Sequence, residues 1–393
     1  MKILLYVHRY GNPYRRFVRN GIDALTARGV EFRILTDFPG SAARGDERVY
    51  VLPFSEPPSL WQRLRRRLRL HSDPEGGTLA RRVDYYLRAG GPSFTAELRR
   101  HLAEFEPDLV HVHFGFTLPL VHRALPADAP PLLVTFRGVD ASAFLTVPKY
   151  RACIQDLLSD PRVHTSSVAR SLQRELLRFG IPTPRHHLLY SSIDTEFYRR
   201  THSLSTTPPR VYLQISSLTI RKGLHVALRA FARFRKKYPD RVWEYRIGGE
   251  GAERATLEQL TQQLELTDSV RFLGAVTPER GKAELERAHV FVHHSITPPD
   301  NDMEGIPNAI MEAMSMELPV LASPHSGIPE LMEDGVHGRL IPEQDVDRFV
   351  GALEQSWSWG LFPQNRVRVE QRFAFGVHAD TLQHLYRRVG RNH

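Results

Sequence analysis

Two glutamates around the start of a short apolar segment are the residues of this sequence with the clearest chemical potential. The run from Glu304 to Glu312 reads Glu-Gly-Ile-Pro-Asn-Ala-Ile-Met-Glu. The first carboxylate comes just before a predicted helix, and the second lies about two turns later in the chain. Ionised carboxylates accept hydrogen bonds well from neutral hydroxyl donors such as those of a sugar. The alternative is a pair of solvated carboxylates on a helix surface, since two glutamates at this spacing often occur by chance.

The predicted helix also offers an anion site at its amino end. Pro307 fits the first helical turn, because proline lacks a backbone N–H and an N–H in that turn has no partner within the helix. Ile306 and Ile310 contribute to an apolar face that packs on a sheet. The free N–H groups and partial positive charge of such an end attract a diphosphate, and Gly305 lets the anion approach the backbone closely. Fixed cations near a departing diphosphate would lower the barrier to its departure without a metal.

No sequence pattern predicts a metal site or a disulfide. The run Asp300-Asn301-Asp302 comes nearest to an Asp-x-Asp metal motif, and we interpret it as a loop. None of the 19 histidines shows His-Glu-x-x-His spacing. Cys153 is the single cysteine, which excludes an intramolecular disulfide and fits a reducing cytoplasm. We therefore expect chemistry that requires neither a metal nor a further cofactor.

The balance of charge predicts anionic partners. The formal net charge of +9 attracts nucleotide diphosphates, phospholipid headgroups and nucleic acid alike. In the segment Trp61–Leu70, apolar residues line one face and arginines occupy the rest, which resembles an interfacial helix on an anionic membrane surface. A solvated surface helix and a nucleic-acid contact are the alternatives. No RNA-reading motif or zinc finger accompanies the segment, so we expect no nucleic-acid partner.

Strands and helical segments alternate along the chain, which predicts the α/β class with parallel sheets covered on both faces. The first strands are predicted at 2–7, 30–35, 109–112, 132–136 and near 163. The polar, Pro-terminated run 200–209 has no hydrophobic period and is interpreted as a linker. A second series of strands is predicted at 211–215, 245–247, 270–273, 290–293 and 319–322, with helices between them.

Two Rossmann-like, doubly wound domains are therefore predicted. They comprise residues 1–199 and 210–374, and a C-terminal helix at about 375–393 packs back on the first domain. A length of 393 residues fits two domains of roughly 100–200 residues each. Domains of this kind bind ligands at the carboxyl ends of their strands, so we expect a crevice between the two domains. No run reaches the ~20 apolar residues of a membrane-spanning helix.

Several spaced motifs resemble the family 4 retaining glycosyltransferases of the GT-B fold. The pair Glu304 and Glu312 matches the E-x7-E motif of that family, in the setting Glu-Gly-Ile-Pro and Glu-Ala-Met. Further matching segments are Gly248-Gly249-Glu250-Gly251, Val270-Arg271-Phe272-Leu273-Gly274, Pro319-Val320 and His325-Ser326-Gly327-Ile328-Pro329-Glu330. The match covers both halves of the chain, and several motifs in the right order are more specific than any one of them.

The resemblance implies roles for the matching residues. Glu304 would contact the donor sugar, Glu312 the nucleotide ribose, and Lys222 the diphosphate. Ser217 stands where the family usually has an arginine, so Arg221 is the candidate replacement. For Arg221 and Lys222 the alternative is a pair of exposed charges at a helix entry. The other residues expected to bind the donor are Ser217, Gly248, Gly249, Phe272, Gly305, Ile306 and Pro307. Gly11 is added because it lies in the loop after the first predicted strand, where the backbone can approach a ligand.

The first half of the chain carries the implied acceptor side. Arg137, in Thr-Phe-Arg-Gly, stands where many members have a histidine, and this variant resembles the branch that makes colanic-acid-type exopolysaccharides. Arg137 could bind a donor or acceptor phosphate as a forked donor, or form a structural ion pair with Asp140. His113 ends a predicted strand, where ligand-binding residues commonly lie, although a lone histidine is more often structural.

Together with the sequence features, the resemblance implies a metal-independent retaining glycosyltransferase that moves a sugar from a UDP- or GDP-sugar to a glycan or lipid-linked acceptor, in exopolysaccharide or cell-envelope polysaccharide biosynthesis. Retention without an evident carboxylate nucleophile implies, by resemblance, front-face attack through an oxocarbenium-like ion pair. We expect a cytoplasmic protein, peripheral on the inner face of the membrane. The alternatives are a non-catalytic sugar- or nucleotide-binding module, favoured by the changes at Ser217 and Arg137, and a GT-B epimerase or phosphorylase.

Overall fold

The computed structural model describes residues 1–10, 16–40, 45–53 and 78–390. Gly11 and the segment Trp61–Leu70 lie outside the described residues. The chain divides into two compact units, Met1–Tyr190 with His378–His393, and Ser191–Val377. Each unit contains one parallel sheet with helices in the connections, so the predicted α/β class with two Rossmann-like domains is confirmed.

The first unit is built on a parallel sheet in the order β3-β2-β1-β4-β5-β6-β7. Its strands are β1 (Lys2–Val7), β2 (Glu31–Thr36), β3 (Val49–Val51), β4 (Leu109–His113), β5 (Leu132–Phe136), β6 (Val163–Ser167) and β7 (His186–Leu188). Its helices are α1 (Arg16–Thr26), α2 (Leu79–Arg88), α3 (Pro92–Phe105), α4 (Leu118–Ala124), α5 (Pro148–Leu157) and α6 (Arg170–Arg178). The strand order reverses at β1 and β4, and the carboxyl ends of these two strands are where such sheets place ligand-binding residues.

Apolar residues fill the first unit because its central strands are covered on both faces. All five residues of β5 are buried, including Thr135. The last helix of the chain, α14 (Phe375–Gly390), packs into this core although most of the second unit precedes it in sequence. Its buried residues Leu382 and Leu385 belong to one hydrophobic cluster with Ile3 and Leu109.

The second unit has a parallel sheet in the order β10-β9-β8-β11-β12-β13. Its strands are β8 (Arg210–Ile215), β9 (Trp243–Gly248), β10 (Val270–Gly274), β11 (Val290–His293), β12 (Val320–Ala322) and β13 (Gly338–Leu340). Its helices are α7 (Leu224–Lys237), α8 (Arg254–Gln263), α9 (Pro278–Arg287), α10 (Asn308–Ser315), α11 (Ile328–Leu331), α12 (Val346–Ser356) and α13 (Pro363–Phe373). β8 pairs with both β9 and β11, so the loops after β8 and β11 are neighbours.

Aromatic packing holds helix α7 on this second sheet. The Phe231 ring stacks on Tyr245 of β9 at 4.5 Å and meets Tyr212 of β8 edge-on at 5.1 Å. All three side chains are fully buried. Because α7 directly follows the turn Ile220–Lys222, this packing also fixes where that turn lies relative to the sheet.

The predicted strands of both units agree with the observed strands to within one or two residues at most ends. The strands that the pattern did not reveal are β3, β7 and β13, each three residues long. A strand of that length is too short to display an alternating pattern. Each of these three strands is also an edge strand: β3 and β7 are the edges of the first sheet, and β13 is one edge of the second.

Candidate functional site

A buried ion pair between Lys222 and Glu304 forms the centre of the candidate site in the second unit. Lys222 ends a short 3₁₀ turn after β8, and Glu304 lies in the loop between β11 and α10. Because β8 and β11 are paired, the two loops meet, and the Lys222 ammonium contacts Oε2 of Glu304. The side chains are only 8% and 14% exposed. The structure thus brings together two of the predicted site residues that are far apart in sequence.

Three further contacts hold Glu304 in place. The Ser295 hydroxyl donates to Oε1 of Glu304 at 2.5 Å, and Nε2 of His293 lies 3.6 Å from the same oxygen. The Ser326 hydroxyl donates to the backbone carbonyl of Glu304. Ser326 has a left-handed backbone with φ of 49°, which is uncommon for a residue with a side chain. This conformation directs the Ser326 hydroxyl at the loop that carries Glu304.

The pKa of Glu304 lies well below its usual range. Burial raises it, but the Lys222 ammonium, His293 and Arg221 lower it by more. Burial lowers the pKa of Lys222, and Glu304 opposes that effect. We take the pair as ionised near neutral pH, because the Glu304 carboxylate also accepts the Ser295 hydroxyl. His293 is a neutral neighbour, since burial lowers its pKa to about 4.

Arg221 adds a second cation next to this pair. Its Nη1 lies 2.7 Å from Oδ1 of Asp302, in the segment that the sequence analysis interpreted as a loop. Burial lowers the pKa of Arg221, but the carboxylates of Glu304 and Asp302 raise it by more. The guanidinium is mostly buried, with 22% of its side chain exposed, so it is not a freely solvated charge at a helix entry.

Several buried polar atoms around the pair have no hydrogen-bond partner among the described residues. They are Oγ1 of Thr219, Nε of Arg221, Nδ1 of His293, both ring nitrogens of His294 and Nε2 of His325. Buried polar atoms in proteins are rarely left unpaired, so each such atom calls for a ligand, a water molecule or an ion. Their concentration near Lys222 and Glu304 marks this as a place where polar ligand groups would be satisfied.

Pro307 lies just before the helix behind Glu304, and not in its first turn as the sequence analysis expected. Helix α10 begins at Asn308, and Pro307, with φ of −64° and ψ of 123°, is the extended residue before it. Pro307 therefore occupies the cap position and not the first turn, because its ψ is not helical. Gly305, Ile306 and Pro307 are buried, and Glu312 is partly buried further along the helix.

The glycine pair after β9 supports the loop that leads to Lys222. Gly249 has φ of +134°, and a Cβ there would lie 1.9 Å from the Ser216 carbonyl oxygen. The amide of Ser216 in turn donates to the Gly248 carbonyl at 2.9 Å. The backbone can come this close only because Gly249 lacks a side chain. The neighbouring Ser217 is exposed.

Phe272 is not part of the group around Lys222. It lies on β10, at the outer edge of the sheet and two strands from β8. Its ring is partly buried beneath the Arg254 guanidinium at 4.9 Å. Its predicted contact with the donor therefore has no support from the contacts around the Lys222–Glu304 pair.

Arg137 and His113 meet at the carboxyl ends of β5 and β4 in the first unit. Nη2 of Arg137 lies 2.9 Å from Nδ1 of His113. The pKa of His113 is well below its usual value because of burial and the nearby charges of His111 and Arg137. The Asp140 carboxylate accepts the backbone N–H of Arg137 at 2.9 Å, so the contact between these residues is not the side-chain ion pair considered above.

A second pair at the carboxyl ends of the first sheet escaped the sequence analysis. Nδ1 of His8 contacts Oδ2 of Asp37, and both side chains are almost fully buried. His8 follows β1 and Asp37 follows β2, and these strands are paired. The signal in the sequence was position: His8 comes directly after the predicted strand 2–7, and Asp37 comes two residues after the predicted strand 30–35. Asp302 and His325 lie in segments that the sequence analysis noted without giving either residue a role, and Ser295 lies in a loop that gave no signal.

Two family models match the chain in succession. The model described as Glycosyltransferase Family 4 matches residues 15–197. The model described as Glycosyl transferases group 1 matches residues 195–359. The second match includes Lys222, Glu304 and Glu312, and the first includes His113 and Arg137.

Curated relatives carry names from exopolysaccharide biosynthesis. The amylovoran biosynthesis glycosyltransferase AmsK of Erwinia amylovora is 33% identical over 63% of this chain and 61% of its own length. The putative colanic acid biosynthesis glycosyltransferase WcaL of Salmonella typhimurium is 37% identical over 64% of this chain and 62% of its own length. The matched part therefore spans about three fifths of the length of these relatives.

Solved structures share the fold at low identity. Alr3699/HepE of Anabaena, in complex with UDP, has a TM-score of 0.73 at 19% identity, covering 98% of this chain and 99% of its own. Sucrose-phosphate synthase of Thermosynechococcus elongatus has a TM-score of 0.76 at 17% identity and covers 100% of both chains. In the described part of this chain, no helix has the length and apolar character needed to cross a bilayer.

Proposed function

Because this chain belongs to glycosyltransferase family 4, we propose that it transfers a sugar from a nucleotide-sugar donor to a glycan or lipid-linked acceptor. The proposal includes retention of the anomeric configuration and independence of metal ions. The observation that carries it is the buried group of Lys222, Arg221 and Glu304 in front of helix α10. This group combines two cations for a diphosphate with a carboxylate for sugar hydroxyls.

In the proposed reaction, the bond between the anomeric carbon and the diphosphate breaks and negative charge grows on the leaving group. Lys222 and Arg221 would stabilise that charge, as would the free N–H groups at the start of α10. Glu304 would accept hydrogen bonds from the donor sugar and so orient it. With these two fixed cations beside the departing diphosphate, the proposed mechanism uses no metal ion. Retention would follow from front-face attack by the acceptor hydroxyl through an oxocarbenium-like ion pair.

The donor is proposed to be a UDP- or GDP-sugar. The UDP complex of the Anabaena protein supports the first. A relative from Mycolicibacterium smegmatis, named as a GDP-mannose-dependent mannosyltransferase, is 26% identical over 67% of this chain and supports the second. Gly248, Gly249 and Glu312 would lie along the nucleotide, with Glu312 on the ribose.

The acceptor is proposed to be a growing glycan or a lipid-linked sugar of an exopolysaccharide or cell-envelope pathway. The names of the amylovoran and colanic acid relatives support this choice. In the first unit, Arg137 would bind an acceptor phosphate, with His113 fixing its guanidinium at 2.9 Å. We further propose that the enzyme works in the cytoplasm at the inner face of the membrane, with Trp61–Leu70 as the contact.

A donor panel tests the proposal. The purified protein is incubated with UDP-, GDP- and ADP-sugars, with and without EDTA, and released nucleotide is measured. We expect release with one class of donor and no loss of rate with EDTA. A requirement for a divalent metal would contradict the proposed mechanism. No release with any donor, in the presence of lipid-linked acceptors, would favour a binding module.

Variants then connect the activity to the site. Lys222→Ala should lower kcat at least about 100-fold, because a fixed cation at the departing diphosphate is lost. Lys237→Ala, which removes an exposed lysine paired with Glu354 on the same unit, is the matched control and should turn over normally. Normal turnover of Lys222→Ala would reject the site even if the donor panel succeeded.

A further inference from the structure

Both cations of the candidate site are already paired with carboxylates of the same chain. Lys222 contacts Glu304, and Arg221 contacts Asp302. The formal charges of these four side chains sum to zero, and the adjacent His293 is neutral near pH 7. A nucleoside diphosphate carries at least two negative charges. It therefore meets no net positive charge from these side chains unless a carboxylate gives up its cation.

The Arg221–Asp302 pair is the one that an anion would open. Its side chains are 22% and 27% exposed, against 8% and 14% for Lys222 and Glu304. Arg221 lies in the 3₁₀ turn Ile220–Lys222, and its carbonyl accepts the amide of Ile296 at 2.8 Å. Asp302 lies in the loop between β11 and α10, outside any helix or strand. The carboxylate, and not the guanidinium, is therefore the partner that would be displaced.

The guanidinium also keeps donors for an incoming anion. Nη1 of the guanidinium lies 2.7 Å from Oδ1 of Asp302. Nε of Arg221 is buried and has no hydrogen-bond partner among the described residues. A phosphate oxygen could thus replace Asp302 and gain a second hydrogen bond from the same group.

We propose that Asp302 sets the affinity of this site for nucleoside diphosphates by occupying Arg221 until the diphosphate displaces it. The inference rests on the proposed function, because it assumes that the diphosphate enters beside Lys222. Competition from Asp302 lowers the affinity of the site for the nucleoside diphosphate product and so favours release of that product after transfer. If Asp302 only oriented Arg221, the removal of its charge would instead weaken nucleotide binding.

Titration calorimetry with UDP and with GDP distinguishes the two roles. Asp302→Asn keeps the size of the side chain and removes its charge. We expect Kd of Asp302→Asn for the nucleotide that binds the wild type to fall about fivefold. Asp347 lies on helix α12 and pairs with Arg233 of helix α7, so Asp347→Asn removes the same charge from a pair outside the site. The Kd of this control variant should match that of the wild type. An unchanged or higher Kd for Asp302→Asn overturns the inference.

A double-variant cycle shows whether the effect passes through Arg221. In an Arg221→Gln background, Asp302→Asn should change Kd by less than about twofold, since the competed cation is gone. A full fivefold gain in that background would also overturn the inference. Circular dichroism spectra that match the wild type confirm that each variant is folded. If neither UDP nor GDP binds the wild type or Asp302→Asn, the proposed function fails as well; if the wild type binds, only this inference is at stake.

Discussion

Glu304 is a carboxylate that is ionised although it is buried. Charges of this kind persist only where donors replace the lost hydration. Lys222 and Ser295 supply such donors in this structure, and His293 supplies a neutral polar neighbour. A sugar hydroxyl could join these donors without a change in the charge of Glu304. The residue is thus suited to holding a polar ligand and poorly suited to delivering a proton.

The stability that Glu304 contributes should depend on pH. We expect Glu304→Gln to lower the free energy of unfolding by about 1–3 kcal/mol near neutral pH, because Lys222 loses its anionic partner. The folded-state pKa of Glu304 is well below 4.5, its ordinary value. Its contribution is therefore fully present above pH 4.5 and is lost as the pH falls through the folded-state value.

Urea unfolding of the wild type and of Glu304→Gln at several pH values measures this difference. The difference should be constant from about pH 7 to pH 5 and shrink below that, because both proteins then carry a neutral group. His293 is present in both proteins, so its own titration cancels to first order. A difference that persists unchanged at the lowest pH would mean that Glu304 is not ionised in the folded protein.

At the scale of single elements, the loops after the strands form the site and the glycines decide how closely they pack. In the loop after β8, Ser216 donates its amide to the Gly248 carbonyl and packs closely against Gly249, at the end of β9. The loop after β11 is held by Thr297, whose amide donates to Glu343 at 2.7 Å. Glu343 in turn accepts Nδ1 of His325 at 2.9 Å. The paired strands and the hydrogen bonds of these two loops together keep Lys222 and Glu304 in contact.

Gly249→Ala should disturb the site through the loop that follows β8. The new Cβ would lie 1.9 Å from the Ser216 carbonyl, and φ of +134° disfavours any side chain. We expect the variant to lose roughly 2 kcal/mol or more of stability and to bind nucleotide more weakly. Thermal unfolding and calorimetry with UDP or GDP check both effects.

Gly351 offers the matched control for that substitution. It lies inside helix α12, and a Cβ there would meet nothing within 4 Å. Gly351→Ala should therefore leave nucleotide binding unchanged and add up to about 1 kcal/mol of stability. Equal behaviour of the two alanine variants would contradict the role given to Gly249.

On the scale of the whole molecule, the last helix of the chain completes the first unit. Helix α14 contributes Leu382, Leu385 and Val389 to the core around β1. Its Tyr386 hydroxyl lies 2.7 Å from Nδ1 of His111, on the strand that ends at His113. The folding of the first unit thus requires residues made after nearly all of the second unit.

Leu385→Ala should destabilise the first unit selectively. Leu385 is 4% exposed, and removing such a buried side chain costs about 2–4 kcal/mol. His384→Ala, at the exposed neighbouring position, is the control and should change stability by less than about 0.5 kcal/mol. Hydrogen exchange should reveal faster opening of β1 and β4 and unchanged protection of β8 and β11. Equal acceleration in both units would contradict the assignment of α14 to the first unit.

The sequence by itself determined the alternation of strands and helices, the α/β class and the types of charged residue near Gly223 and Pro307. Those features depend on local patterns: apolar periodicity, helix-start residues and the spacing of motifs. Prediction was weaker where a pattern was short, as in the three-residue strand β13. It was also weaker at Pro307, where the backbone angle ψ alone places the residue outside the helix.

Only the tertiary structure decided which of these residues meet. Lys222 and Glu304 are 82 positions apart and touch because β8 pairs with β11. Asp302 reaches Arg221, and His8 reaches Asp37, for the same kind of reason. Contacts across neighbouring strands depend on strand order and on the course of the loops. Neither property leaves a local pattern in the chain. The family resemblance assigned Lys222 and Glu304 to the same donor, but only the fold showed that the two side chains form an ion pair.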